Sequence, residues 1–131
     1  MNKSFNEVAA VKGYHIHIYF ETGKDSASQA QELMEDIKTL FPADIESAAK
    51  IGRIGPHTKE NFALHIKKDG FATIIPWVQL NSRDLSILIH PDRNDDIIDH
   101  LGSSMWLGEP VKYNDGFFAK LKKAQEKDLA P

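Results

Sequence analysis

Histidine is the chemical group this chain has most to offer: there are six (His15, His17, His57, His65, His90 and His100) and no cysteine. Two of them stand in Tyr14-His15-Ile16-His17-Ile18-Tyr19-Phe20. Side chains alternate between the faces of a strand, so His15 and His17 project the same way, about 7 Å apart. Tyr14, Ile16, Ile18 and Phe20 project the other way, into a core. Such a pair suits a shared divalent metal ion or a shared substrate. The plainer reading is the polar face of an antiparallel sheet.

His90 ends a second apolar run, Leu85-Ser86-Ile87-Leu88-Ile89-His90, immediately before Pro91. With His15 and His17 it could supply a facial set of nitrogens that leaves open positions on a metal. Glu21, Asp92 and Asp95 are the fallback ligands if the site takes two histidines and a carboxylate. His57 follows Gly55-Pro56, a turn that can hold an imidazole at a fixed angle. It reads as an exposed turn residue, a general acid/base or an additional ligand. His65 shares the parity of Ala63, although neighbouring Lys67 suggests a solvated strand end. His100 follows Asp99, and reads either as a helix-surface residue or as a support through a carboxylate–histidine contact. Arg53 can grip a substrate carboxylate in a bidentate fork or be a surface charge. Trp106 is a core plug or an aromatic wall for a ring-shaped ligand. No Gly-rich phosphate loop, nucleophile elbow or His-Glu-x-x-His zinc helix is present.

The elements that must position these groups follow from hydrophobic spacing. The first strand covers about Tyr14 to Phe20. Asp25 or Ser26 caps a helix whose stripe of Ala30, Leu33, Met34, Ile37 and Phe41 ends at Pro42. Strands are expected at Glu46–Ile54 and Phe62–Ile66. A second helix, begun near Asp69-Gly70, carries Phe71, Ile74, Ile75 and Val78, with a kink or short first turn at Pro76. A fourth strand runs from Leu85 to His90 and is stopped by Pro91. A short helix covers Asp95 to Leu101, and an amphipathic one Asp115 to Lys127. Residues 1–12 read as a loose segment of a single domain covering 1–131. The order βαββαβ predicts an α+β, ferredoxin-like antiparallel sheet with helices on one face and an additional C-terminal helix. Its first strand is then central, antiparallel to the third and fourth. His90 and Ser86 share the open face with His15 and His17, and His90 lands near His15.

Composition narrows the classes. A chain of 131 residues is one domain by length and buries roughly two-thirds of its unfolded surface without staples. A net charge of −3 with no basic block argues against nucleic acid as a partner. No apolar run approaches the roughly 20 residues that span a bilayer, and no signal peptide is recognisable. Cytoplasm is the default expectation.

The ordered set Tyr14–Phe20, Gly52-Arg53, Gly55-Pro56-His57, Pro76-Trp77, Leu85–Pro91 and Met105-Trp106-Leu107-Gly108 resembles the DOPA 4,5-dioxygenase family. This is the small fungal and bacterial kind, unrelated to the plant-type ring-cleaving enzymes. The resemblance runs from about Tyr14 to Pro110. It implies a ferredoxin-like fold, often paired as a homodimer, and extradiol cleavage of a catechol such as DOPA with O2 and non-haem Fe(II). His15 and His17 match the family's paired histidines, His57 its Gly-Pro-His, His90 its His-Pro and His100 its Asp-His. Thr58 stands where a proline is expected, and Ser103 where many relatives carry another histidine. On this reading His15, His17 and His90 hold the metal, with zinc able to replace iron in a purified sample. His57 and His100 serve the reaction, and Arg53 and Trp106 meet the substrate. The opposing readings are a non-catalytic dimeric module for a small aromatic ligand, and a domain stabilised by structural zinc.

Overall fold

Alternation builds the first strand as expected. β1 (Gly13–Tyr19) sends Ile16 and Ile18 into complete burial on one face and its histidines to the other. The computed structural model describes residues 3–129. In it β1 is the centre of a five-stranded antiparallel sheet of order β2-β3-β1-β4-β5. The other strands are β2 (Ile45–Ile51), β3 (Asn61–Lys67), β4 (Ile87–Asp92) and β5 (Met105–Leu107). The register sets His15 opposite His65 on β3 and His90 on β4, and His17 opposite Ala63 and Leu88.

Two helices cover the apolar face. α1 (Asp25–Leu40) buries Ala30, Leu33, Met34 and Ile37, a stripe at three- and four-residue steps. α2 (Phe71–Leu80) adds Ile74, Ile75 and Val78. These join Ile16, Ile18, Leu64, Ile66, Ile87 and Ile89 in one core, each such side chain contributing about 1.5–3 kcal/mol on burial. The ferredoxin-like arrangement is therefore present.

Several local expectations need correction. β2 ends at Ile51 rather than Ile54, because the chain bends at Gly52 towards the Gly55 turn, where φ is +58°. Ser26 does not cap α1; its hydroxyl accepts from the Glu21 N–H at 3.0 Å, and Lys24 stands at the cap without a side-chain bond. Likewise no side chain caps α2. Pro91 does not stop the fourth strand, which runs on to Asp92. β5 pairs only with Ile87–Ile89, so no strand on that side asks Pro91 for the N–H it lacks.

Nor is the second face open. α3 (Asp96–Leu101), the segment around Val111–Tyr113 and α4 (Asp115–Leu129) lie over part of it. There Tyr19, Leu88 and Val111 are buried with Trp106 and Tyr113 packed against them. The histidine face is thus half core. No helix among the described residues is long and apolar enough to cross a membrane.

β5 closes at Gly108, where φ is +70° and an added Cβ would lie 2.7 Å from the Leu85 carbonyl oxygen. Gly23 has a similar φ of +79° but open space around it. Gly108→Ala should therefore cost more than Gly23→Ala, which carries only the conformational penalty of about 1–3 kcal/mol. Urea denaturation of the two variants checks the order.

Candidate metal centre

His17 sits at the middle of the central strand, and its hydrogen bonds decide its tautomer. Its Nδ1 is 3.0 Å from Asn61 Oδ1. The Asn61 Nδ2 donates to the Lys59 carbonyl at 3.1 Å, which turns Oδ1 towards the imidazole. Nδ1 of His17 must then carry the proton, leaving Nε2 with a bare lone pair. His90 repeats the pattern. Its Nδ1 donates to the Pro91 carbonyl at 2.9 Å, so its Nε2 is bare as well. These two Nε2 atoms face each other 3.3 Å apart.

Two lone pairs at that distance repel unless a cation lies between them. A shared proton is disfavoured here: burial, then the neighbouring His100, holds His90 at about 3, and burial with His57 holds His17 well below its ordinary value. A divalent metal fits. Nitrogens each about 2.1 Å from one ion, at octahedral to tetrahedral angles, stand about 3.0–3.4 Å apart. Histidine ligands that donate Nδ1–H to an oxygen acceptor are the usual arrangement around such ions.

Two sets of three imidazoles have nitrogens within 4.8 Å of one another: His15, His17 and His90, and His17, His57 and His100. Neither contains a carboxylate. His15 is partly exposed at the rim, stacked on His65 at 3.8 Å, with its Nε2 3.7 Å from an Asp92 carboxylate oxygen. Burial and His65 lower it to about 4. Glu21 instead pairs with Lys59, and Asp95 caps α3 through the Ile98 N–H.

His57 is not an exposed turn residue; it is 6% exposed. The Pro56 carbonyl accepts from the Asn114 N–H, and the Thr58 hydroxyl donates to the Lys112 carbonyl, which ties the turn under the 112–114 segment. Its Nδ1 lies 2.7 Å from the Tyr19 hydroxyl. Burial, then His100, lowers it to about 4. His100 is not a surface residue either, with its ring 4.1 Å from that of His90. Its Nδ1–H donates to the Asp96 carbonyl, not to Asp99. Asp99 binds the Arg93 and Asp95 N–H groups and fixes the turn into α3.

Arg53 is exposed in the bend that leads to His57. Trp106 is half buried and stacks on Tyr19 at 5.7 Å, packed against the small core on the histidine face. Sequence reasoning missed Tyr19 and Asn61. Parity was the available signal, since Tyr19 follows His15 and His17 at steps of two and Asn61 precedes Ala63 and His65.

These shifts give a sign for pH dependence. The unfolded chain takes up protons near 6.5, whereas folded His15 and His57 wait until about 4 and His90 until about 3. Stability is therefore complete above about 6.5 and is lost as pH falls through the window down to 4–3. The urea midpoint of the metal-free protein should fall between pH 7 and 4, and fall less in His90→Asn. Equal slopes in the two proteins would contradict a neutral buried cluster.

Comparison with known proteins gives the family. The model of the Dopa 4,5-dioxygenase family matches residues 14–116. An uncharacterised 21.2 kDa protein of Botryotinia fuckeliana is 31% identical over 123 residues, covering 83% of this chain and 64% of its own length. A DOPA 4,5-dioxygenase of Amanita muscaria is 27% identical over 110 residues, covering 79% of this chain and 48% of its own. The chain thus spans between about half and two-thirds of those relatives. A crystal structure of a Nostoc punctiforme protein, whose designation as a dioxygenase is provisional, superposes with a TM-score of 0.77 at 29% identity. That match covers 89% of this chain and 99% of the other. On this evidence the chain belongs to the DOPA 4,5-dioxygenase family.

Proposed function

We propose that the protein is an extradiol dioxygenase that opens a catechol ring with O2 at a non-haem Fe(II) held by His15, His17 and His90. The observation that carries this reading is the pair of bare Nε2 atoms of His17 and His90, 3.3 Å apart with both Nδ1–H groups already spent. In the reaction both oxygen atoms of O2 enter the product, and the aromatic carbon–carbon bond beside the diol breaks. Fe(II), when bound, supplies the open coordination positions and the electron path that bring catechol and O2 together.

The remaining work belongs to the side chains. His57 would serve the reacting oxygens as acid/base or hydrogen-bond donor, and His100 stands against His90 with its Nδ1–H committed to α3. The rim at His15 borders a depression of about 210 Å3 lined by His65, Glu46 and Asp92, and on this reading the aromatic diol would enter from there. Arg53 would pair with a substrate carboxylate, and Trp106 would back the aromatic wall through Tyr19. Support for the substrate class comes from the Amanita muscaria relative.

The apoprotein, reconstituted anaerobically with Fe(II) and then given air and a panel of catechols, should turn yellow with the ring-opened semialdehyde. No colour with iron verifiably bound would overturn the enzymatic reading in favour of a binding module. A chelator that lowers the melting temperature, with no turnover to lose, would favour structural zinc. Asn61→Ala should weaken Fe(II) binding by about 10–100-fold, since it removes the acceptor that orients His17. Equilibrium dialysis measures this directly.

A further inference from the structure

Four buried imidazoles meet in this cluster, and three have an Nδ1 that faces an oxygen able only to accept: Asn61 Oδ1 for His17, Pro91 O for His90 and Asp96 O for His100. His57 is the exception. Its Nδ1 faces the Tyr19 hydroxyl, which can donate. Tyr19 is 3% exposed, and among the described residues its hydroxyl has no other hydrogen-bond partner. If His57 donated to it, the phenol proton would be left buried without an acceptor, at a cost of about 1–3 kcal/mol. The phenol therefore donates, and the neutral His57 carries its own proton on Nε2.

In that state neither nitrogen of His57 has a free lone pair. Nδ1 is occupied by the phenol proton and Nε2 by its own. The second three-histidine set, His17 with His57 and His100, is then one ligand short. His17 cannot serve both sets at once, because its Nδ1 is tied to Asn61 and its single bare nitrogen binds one ion. We infer that Tyr19 is a positioning residue: its phenol locks His57 as the Nε2–H tautomer, keeps that imidazole off the metal, and so selects the seat of His15, His17 and His90.

The inference deepens the proposed function and rests on its reading of the cluster as a metal centre. His57 then enters the reaction as a neutral N–H hydrogen-bond donor to a reacting oxygen rather than as a base. The stack of Trp106 on Tyr19, with Leu88 and Val111 packed alongside, holds the phenol in place. His57, with both ring nitrogens engaged, is thereby withheld from the coordination position kept for substrate.

Two readouts test this without turnover. Two-bond 1H–15N correlation spectra of the metal-free protein at pH 8 should show His57 as the Nε2–H tautomer and His17, His90 and His100 as Nδ1–H. In Tyr19→Phe, the His57 Nδ1 resonance should shift to that of a lone pair with no donor. The Co(II)-loaded Tyr19→Phe protein should then show an altered visible spectrum and bind Co(II) more tightly, by up to about tenfold, the order set by one hydrogen bond. Adding His57→Asn to Tyr19→Phe should restore the original spectrum. An Nδ1–H tautomer for His57 in the unaltered protein, or a Co(II) spectrum indifferent to Tyr19→Phe, would overturn the inference. Should Tyr19→Phe fail to fold, the tautomer of the unaltered protein decides alone. If the tautomers stand and no catechol is cleaved, the dioxygenase reading fails and the lock survives. If catechol is cleaved but His57 is Nδ1–H, only the lock fails.

Discussion

A lone pair buried against another lone pair is a cost that a fold does not carry without a return, and this cluster holds such a contact at its centre. His17 and His90 cannot relieve it by exchanging tautomers, because Asn61 Oδ1 and the Pro91 carbonyl each demand an N–H. Nor can they relieve it readily with a proton, since desolvation and the crowd of imidazoles hold both pKa values low. The remaining relief is a cation that both nitrogens can share. Metal binding to such a site is linked to folding: whatever the ion gains in the native state is withheld from the unfolded one.

The rest of the architecture can be understood as meeting that constraint. Placing His17 on the central strand gives it rigid neighbours on both sides, and the antiparallel register puts His90 on the adjoining strand one step away. The apolar core beneath fixes the backbone, so that the nitrogens are set by the sheet and not by loops. Above, the aromatic layer of Tyr19, Trp106 and Tyr113 helps to bury the cluster. Fixed dipoles are thereby strengthened, and every unpaired polar group becomes more costly.

Much of this was legible in the residues. Parity along Tyr14–Phe20 assigns both histidines to one face, and the βαββαβ order makes their strand central, which is enough to bring His90 beside His15. What was hidden depends on contacts distant in sequence. Burial of His57 comes from the 112–114 segment folding over the Gly55 turn, and burial of His100 from Tyr113 and Phe118. Neither contact leaves a local pattern. β5 is three residues long, too short for any alternation to register. Pro91 misleads for a physical reason: its missing N–H ends a strand only where a neighbour needs it. The tautomers lay furthest from view, because each is set by a partner 44, 38 or 4 residues away, or by a backbone carbonyl next in the chain.

The most direct test is anomalous scattering at the metal edge from crystals of protein loaded with one equivalent of Fe(II) or its zinc substitute. A single peak is expected about 2.1 Å from both Nε2 of His17 and Nε2 of His90. An ion found elsewhere, or one that touches neither of those two nitrogens, would contradict it.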